Sequence, residues 1–313
     1  MSTTATAEKR QWAAPGFLTR MRRASWHDRR VDWSGYFFLG PFLFFFGLLK
    51  AAALIFGLYL AFNTWEIVGP MEWVGLANFQ EVLTNDQAQK AFLNTFRYAL
   101  VIVPGVTIVA FVFALFVHQR WPGHTLARTG FFSPFVCAPT VVGLIWVWLL
   151  DTQFGLINQY LSQLGIPNIP WLTSPDWSWV GVSLTSIWWD AGFSFILFLA
   201  ALQDVPQELL ESAEIDGANR FQAVWHVILP LLRPVASMVV TLQIISTLRI
   251  FSQVVVMTNG GPAGSSGSGI FYLYQYGLQR YRFGYAAAVA VLLLFVTLFV
   301  TLLGRRLVRG EIV

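Results

Sequence analysis

Apolar and polar residues along this chain segregate into long blocks. Six apolar stretches, at about 36–62, 96–117, 131–150, 179–202, 235–257 and 285–303, are each long enough for a helix to cross a bilayer, which takes about 20 residues. Spanning β-strands would be near 10 residues long and alternate with period two. The pattern therefore predicts an all-α membrane protein with six transmembrane helices. Pro41, Pro104, Pro134 and Pro139 fall inside the blocks and predict kinks, which a bundle tolerates because neighbouring helices re-satisfy the freed carbonyls. No period of 20–50 residues recurs, so a solenoid is excluded.

Between the blocks the polar pattern predicts short elements. The connection 63–95 carries a short helical run near 79–83, and 151–178 carries another near 156–164, followed by Gly165, Pro167 and Pro170. The connection after Thr258 opens with Asn-Gly-Gly-Pro and continues through GPAGSSGSG. Glycine punctuation of this kind predicts turns and a mobile loop, or a plain surface connection.

Composition agrees with the block pattern. Of 313 residues 56% are hydrophobic and 12% charged, against about 25% charged in soluble domains. The net charge of +4 is placed around the spans, which argues against nucleic acid as a partner. With the N-terminus inside, 14 of the 20 Lys and Arg residues fall in cytoplasmic segments, and only Lys90, Arg97, Arg280 and Arg282 fall outside. The positive-inside rule then puts both termini in the cytoplasm. The organisation expected is a basic N-terminal segment (1–35), a membrane domain (36–304) and a basic tail (305–313). Residues 1–35 hold no apolar run of the kind a signal peptide needs. Within them 17–30 reads as a basic, partly amphipathic segment on the membrane surface, or as a disordered tail. A lone Cys137 and four scattered histidines offer neither a disulfide framework nor a metal site.

Charged residues inside spans are costly and face a cavity or a partner. Here they are Lys50, Asp190 and Arg249. Lys50 and Asp190 are candidates for one ion pair, and Arg249 for the mouth of a cavity. Polar residues recur near helical spacing at Ser183, Ser186, Asp190 and Ser194, and again at Gln243, Ser246, Thr247 and Gln253. Such stripes are either interhelical seams or the wall of a hydrophilic pathway. With Trp188, Trp189 and Phe193 adjacent, the pathway reading suits a polyhydroxylated solute. Its candidate residues are Trp189, Asp190, Ser194, Gln243, Ser246, Thr247 and Arg249.

The stretch 204–234 is unlike a membrane loop. It carries Asp204, Glu208, Glu211, Glu214 and Asp216, a Gly217 break and flanking prolines. Pro206 suits a first helical position with Asp204 as a nearby cap, Gly217 supplies a turn, and Asn219 caps a second helix. Phe221, Val224, Trp225 and Ile228 then define one apolar face, and Pro230 and Pro234 restrict the approach to the fifth span. Two short helices of this kind fit a groove on another protein or lie on lipid. No phosphate-binding loop exists, because the three lysines are followed by Arg10, Ala51 and Ala91. ATP-driven transport would need an ATPase on another chain.

Glu211-Ser-Ala-x-x-Asp216-Gly217-Ala218, followed by Ile228-Leu229-Pro230, resembles the EAA motif of ABC importer permeases, with Ser212 where alanine is usual. Trp73-Val-Gly-Leu-x-Asn78-Phe79, Asn94-Thr95, Arg128-Thr129, Gly155-Leu-Ile-Asn158, Leu199-Ala-x-Leu202 and Thr258-x-Gly-Gly-Pro262 are similar to landmarks of carbohydrate-type permeases. The loop with Gly260, Gly261 and Pro262 resembles the first permease of maltose- and glycerol-phosphate-type systems.

The resemblance implies a type I importer in the bacterial or archaeal inner membrane, with an extracytoplasmic solute-binding protein and a second, related permease. Two ATPase subunits would use ATP and Mg, and this chain would bind no cofactor of its own. Glu211, Ala213, Asp216, Gly217 and Ala218 carry over as the ATPase-coupling element. The cargo implied is a sugar, polyol or glycerol phosphate. The alternatives are an ion-coupled secondary carrier using Asp190, Lys50 and Arg249, and a membrane scaffold that recruits a soluble partner.

Overall fold

A computed structural model describes residues 33–66, 69–119 and 121–309. The basic segment 17–30 and the end of the tail, 310–313, lie outside the described residues. The chain forms two compact units, Met1–Ala53 and Leu54–Val313. In the first unit the span α1 (Tyr36–Ala61) begins; Pro41 lies inside it, and the π-turn Gly47–Ala51 carries an exposed Lys50.

The second unit is a helical bundle. After a two-residue ladder between β1 (Asn63–Thr64) and β2 (Glu72–Trp73) come α2 (Ala77–Thr84) and the long α3 (Asp86–His118). Then follow α4 (His124–Val136), α5 (Pro139–Leu149), α6 (Leu156–Gln163) and α7 (Ser178–Gln203). The rest comprises α8 (Gln207–Ile215), α9 (Arg220–Thr247), α10 (Ser252–Thr258), α11 (Gly269–Tyr274) and α12 (Phe283–Arg309). Among the described residues five helices are long and apolar enough to cross a membrane, and six spans result when α4 and α5 count as one. The short helices α2 and α6 fall where the polar pattern predicts them.

The spans depart from the predicted blocks in three ways. First, α3 starts ten residues before the apolar block, at Asp86, because Asn85 caps it by accepting from the amides of Gln87 and Ala88. Second, the third block bends by 103° between α4 and α5. Pro139 starts α5, where a missing N–H costs nothing, and forces the residue before it out of the helical region.

Third, the fifth span has no separate beginning at 235. Residues 220–247 form one helix, interrupted only by a π-turn at Val224–Ile228. The wider turn accommodates Pro230, whose ring would clash with the carbonyl four residues back in a regular α-helix. The block then breaks at 248–251 before α10 resumes.

The core forms along the contact of α3 with α7, with α4 on α7 and α9 on both α3 and α12. One cluster joins Ala110, Ala114, Phe195, Phe198, Leu202 and Ile228, and small residues let the helices approach closely. At Gly192 a Cβ would lie 2.9 Å from the Phe131 carbonyl, so α7 meets the α4 backbone there. Two amides fasten the connections. Asn78 donates to the carbonyls of Ala61 (3.0 Å) and Asn63 (2.9 Å), and Asn158 accepts from the indole of Trp171 at 3.0 Å.

Candidate functional site

Both helix breaks converge on one place. An open cleft with about 500 Å³ of empty space lies beside α3, α5 and α7, closed by the broken segment after α9. Trp189, Asp190, Ser246, Thr247 and Arg249 all line it. Asp190 is only 7% exposed, Thr247 is buried and its hydroxyl has no hydrogen-bond partner among the described residues, and Ser246 and Arg249 are exposed. Among the described residues the one salt bridge joins Glu81 to Arg282, so Asp190 and Arg249 meet the cleft without an ion pair.

The Trp189 indole donates to the Cys137 carbonyl at 3.0 Å, which satisfies an acceptor freed by the break between α4 and α5. Trp189 therefore offers the cleft its ring rather than its N–H. Carboxylate, guanidinium, hydroxyls and an indole face together supply acceptors, donors and an apolar platform for a hydroxylated ligand.

Ser194 and Gln243 do not line the cleft. Gln243 donates to the Ser194 hydroxyl at 3.1 Å, and both are buried. This pair is an interhelical seam between α7 and α9. Ser183 and Ser186 turn their hydroxyls to carbonyls of their own helix, although Ser186 also borders the cleft. Pro139, Phe251 and Ser252 line the cleft too, and sequence reasoning missed them because the break that presents them is not a feature of hydropathy.

The turn after α8 stands at the opposite end of α9 from this cleft. Pro206, rather than Asp204, is the N-cap of α8, and it makes no side-chain capping bond. Gly217 has φ +84°, with its N–H bonded to Glu214 O and the Ala218 N–H to Ala213 O, which is the Schellman arrangement. Glu211, Asp216 and Gly217 are exposed, while Ala213 and Ala218 are half-buried. Ser212 bonds back to Glu208 O at 2.7 Å, so the hydroxyl is absorbed by the helix.

Asn219 and Gln222 form a reciprocal capping box, as the Asn219 position predicts. The predicted single apolar face is split. The π-turn sends Ile228 into the core, 7% exposed, and leaves Phe221 and Trp225 outside at 70% and 55%, with ring centroids 6.2 Å apart.

The Gly-Ser run after α10 is the largest departure from expectation. Residues 265–269 are buried, so the run is a plug rather than a mobile loop. One face of α3 pins it. Lys90 donates to Ala263 O (2.8 Å), Asn94 to Gly264 O and Gly267 O (2.9 and 3.0 Å), and Tyr98 to Ser266 O (2.9 Å). Thr95 accepts from the Gly269 N–H, Ser178 meets Ser265 at 2.7 Å, and Ser268 donates to Ile250 O in the broken segment at 2.7 Å. Gly260, Gly261 and Pro262 form its first turn. A Cβ on Gly260 would strike the Phe271 ring, and one on Gly261 the Ser266 hydroxyl. A signal existed in the sequence: Lys90, Asn94, Thr95 and Tyr98 recur at helical spacing.

Residues 85–310 match the family described as the binding-protein-dependent transport system inner membrane component. The chain belongs to this family. It is 28% identical over 295 residues to the sulfoquinovosyl glycerol transport system permease protein of Agrobacterium fabrum, covering 89% of this chain and 94% of that protein. To the trehalose/maltose transport system permease protein of Thermococcus litoralis it is 32% identical over 223 residues, covering 71% and 76%. Its fold matches a chain of a bacterial ABC transporter involved in import of the acidic polysaccharide alginate, with TM-score 0.79, 25% identity, and 90% and 96% covered. The protein is thus a membrane permease of an ABC importer, a transport subunit whose ATPase is a separate chain. Membership disfavours the ion-coupled carrier.

Proposed function

We propose that this permease forms half of the path for a sugar or related polyol and is driven by an ATPase that docks on the turn between α8 and α9. The relatives named above carry carbohydrate cargoes, which supports the substrate class. The partners in this reading are a second, related permease, two ATP-binding cassette subunits that use ATP and Mg, an extracytoplasmic solute-binding protein and the surrounding lipid. Both termini and the α8–α9 turn face the cytoplasm, and the Gly-Ser plug faces outward.

The observation that carries the reading is the continuity of α9. One helix runs from Arg220, three residues past Gly217, to Thr247 in the wall of the cleft. A helix rises 1.5 Å per residue, so these 28 residues form a lever of about 42 Å with no loop in it. Displacing the turn moves the cleft.

Glu211 and Asp216 present carboxylates, Gly217 sets the turn, and Ala213 and Ala218 keep its inner side small enough to seat against the bundle. In the cleft, Asp190 and Thr247 bond solute hydroxyls, Trp189 packs against an apolar sugar face, and Ser246 and Arg249 stand at the exposed rim. Ser194 and Gln243 belong to the pathway reading only as the seam behind that wall.

Gly217→Asp and Glu211→Lys test the coupling role. Each is expected to abolish ATP-driven uptake by the complete importer while the chain still inserts into membranes. Normal uptake in both variants would remove that role.

A further inference from the structure

Four basic residues lie near the end of the bundle that carries the plug, and two of them are satisfied within the chain. Arg282 forks onto Glu81 with both bonds at 2.7 Å, and the Arg97 guanidinium lies 3.8 Å above the Trp179 ring. The other two, Lys90 and Arg280, line one open cavity with about 700 Å³ of empty space. Among the described residues no carboxylate lines it; the remaining polar side chains are neutral, among them Gln87, Gln275 and Asn259.

Lys90 spends one of its three donors on Ala263 O. Arg280 is held over the Tyr276 ring at 4.3 Å, and among the described residues its guanidinium makes no hydrogen bond. Two exposed cations therefore share a concave site that contains no counter-charge. Its lining includes Gly264 and Gly267 of the plug, whose carbonyls Asn94 of α3 holds. It shares no lining residue with the cleft at Asp190, so a solute held in that cleft does not fill it.

We propose that this cavity is the socket for an aspartate or glutamate side chain of the solute-binding protein, a step that rests on the function proposed above. A carboxylate entering between Lys90 and Arg280 gains charge-assisted bonds, the guanidinium offering a bidentate edge. Because the cations are already placed, little side-chain ordering is lost on docking. Such a contact acts chiefly on encounter and is weakened by salt.

The test uses the complete importer in lipid nanodiscs, titrated with its solute-loaded binding protein while ATP hydrolysis is followed. Arg280→Gln carries the test, since Arg280 makes no bond that holds the plug; Lys90→Gln/Arg280→Gln is the stronger variant. The binding-protein concentration for half-maximal stimulation is expected to rise about tenfold in the double variant at low ionic strength, equivalent to about 1.4 kcal/mol. The rise should shrink toward wild type at molar salt, and Arg280→Lys should retain most of the wild-type response.

Half-saturation unchanged in both glutamine variants would overturn the socket, as would a lower maximal rate with half-saturation unchanged. A rise seen only with an anionic solute would assign the cavity to the solute and overturn it too. If wild type responds to no solute-loaded binding protein, the failure belongs to the proposed function instead.

Discussion

Gly217 and the Gly260-Gly261 pair have the same backbone signature and opposite surroundings. All three residues have positive φ, at +84°, +86° and +70°. Around Gly217 a Cβ would meet nothing within 4 Å, and the bonds that shape the turn run within 213–218. Around Gly260 and Gly261 a Cβ would meet the Phe271 ring and the Ser266 hydroxyl, and the bonds that shape the segment come from α3 and α7. The first glycine is needed for its dihedral alone, in a turn that projects and keeps its own shape. The others are needed for their dihedral and their lack of volume, in a segment that belongs to the core. A projecting turn can engage another protein without rearranging the bundle, whereas the plug cannot move without breaking the contacts that hold α3 to the broken fifth span.

The sharpest way to break this comparison is to add one methyl group at each place. Gly260→Ala meets the cost of a left-handed conformation, about 1–2 kcal/mol, and overpacking against Phe271, about 1–3 kcal/mol. A loss of about 2–5 kcal/mol is expected, read as a large fall in apparent Tm of the purified complex. Gly217→Ala meets only the first cost and should lose about 1–2 kcal/mol. Equal shifts in Tm would mean that the two turns are alike after all.

A smaller effect is expected from the bonds that hold the plug. Tyr98→Phe removes the donor to Ser266 O in a site where Ser266 is fully buried. An orphaned buried carbonyl costs about 1–3 kcal/mol. Hydrogen exchange at residues 264–269 should rise while exchange in 213–218 stays as in wild type. The matching change at the projecting turn is Asn219→Ala, which deletes an exposed capping box and should cost about 1 kcal/mol, confined to the start of α9. Protection lost at both places from either substitution would show the two regions to be one cooperative unit.

The legible and illegible parts of this molecule divide along the same line. Long apolar blocks place the spans because twenty consecutive apolar residues have few other stable environments. The Gly217 turn and the Asn219 cap are legible because their determinants sit within four residues of one another. The breaks at Cys137 and Ala138 and at 248–251 are less so: Pro139 hints at the first, but nothing local in Leu248-Arg249-Ile250-Phe251 announces the second. The plug is illegible in composition, since Gly and Ser serve a loop and a tightly packed segment equally well. What decides between them is α3, some 170 residues earlier in the chain. Of the pathway residues, Thr247 and Arg249 reach the cleft because the helix break puts them there, opposite Asp190 on the unbroken α7, while Ser194 and Gln243 pair because no break intervenes.

The smallest expected effect comes from the ion pair that joins α2 to the start of α12. Glu81 and Arg282 meet through two parallel bonds of 2.7 Å, yet their side chains are 41% and 35% exposed. Exposed pairs contribute about 0–1 kcal/mol, with bidentate geometry toward the upper end. Glu81→Gln leaves Arg282 over the Tyr285 ring at 4.6 Å and the Phe283 N–H bonded to Trp65 O at 3.0 Å, and α2 still packs directly on α12. A fall of less than about 1 kcal/mol is expected, disappearing at molar salt, where the screening length is about 3 Å. A loss as large as that of Tyr98→Phe, persisting in salt, would show that an exposed charge pair holds this junction as firmly as buried hydrogen bonds hold the plug. The distinction between projecting and packed segments would then fail at this junction.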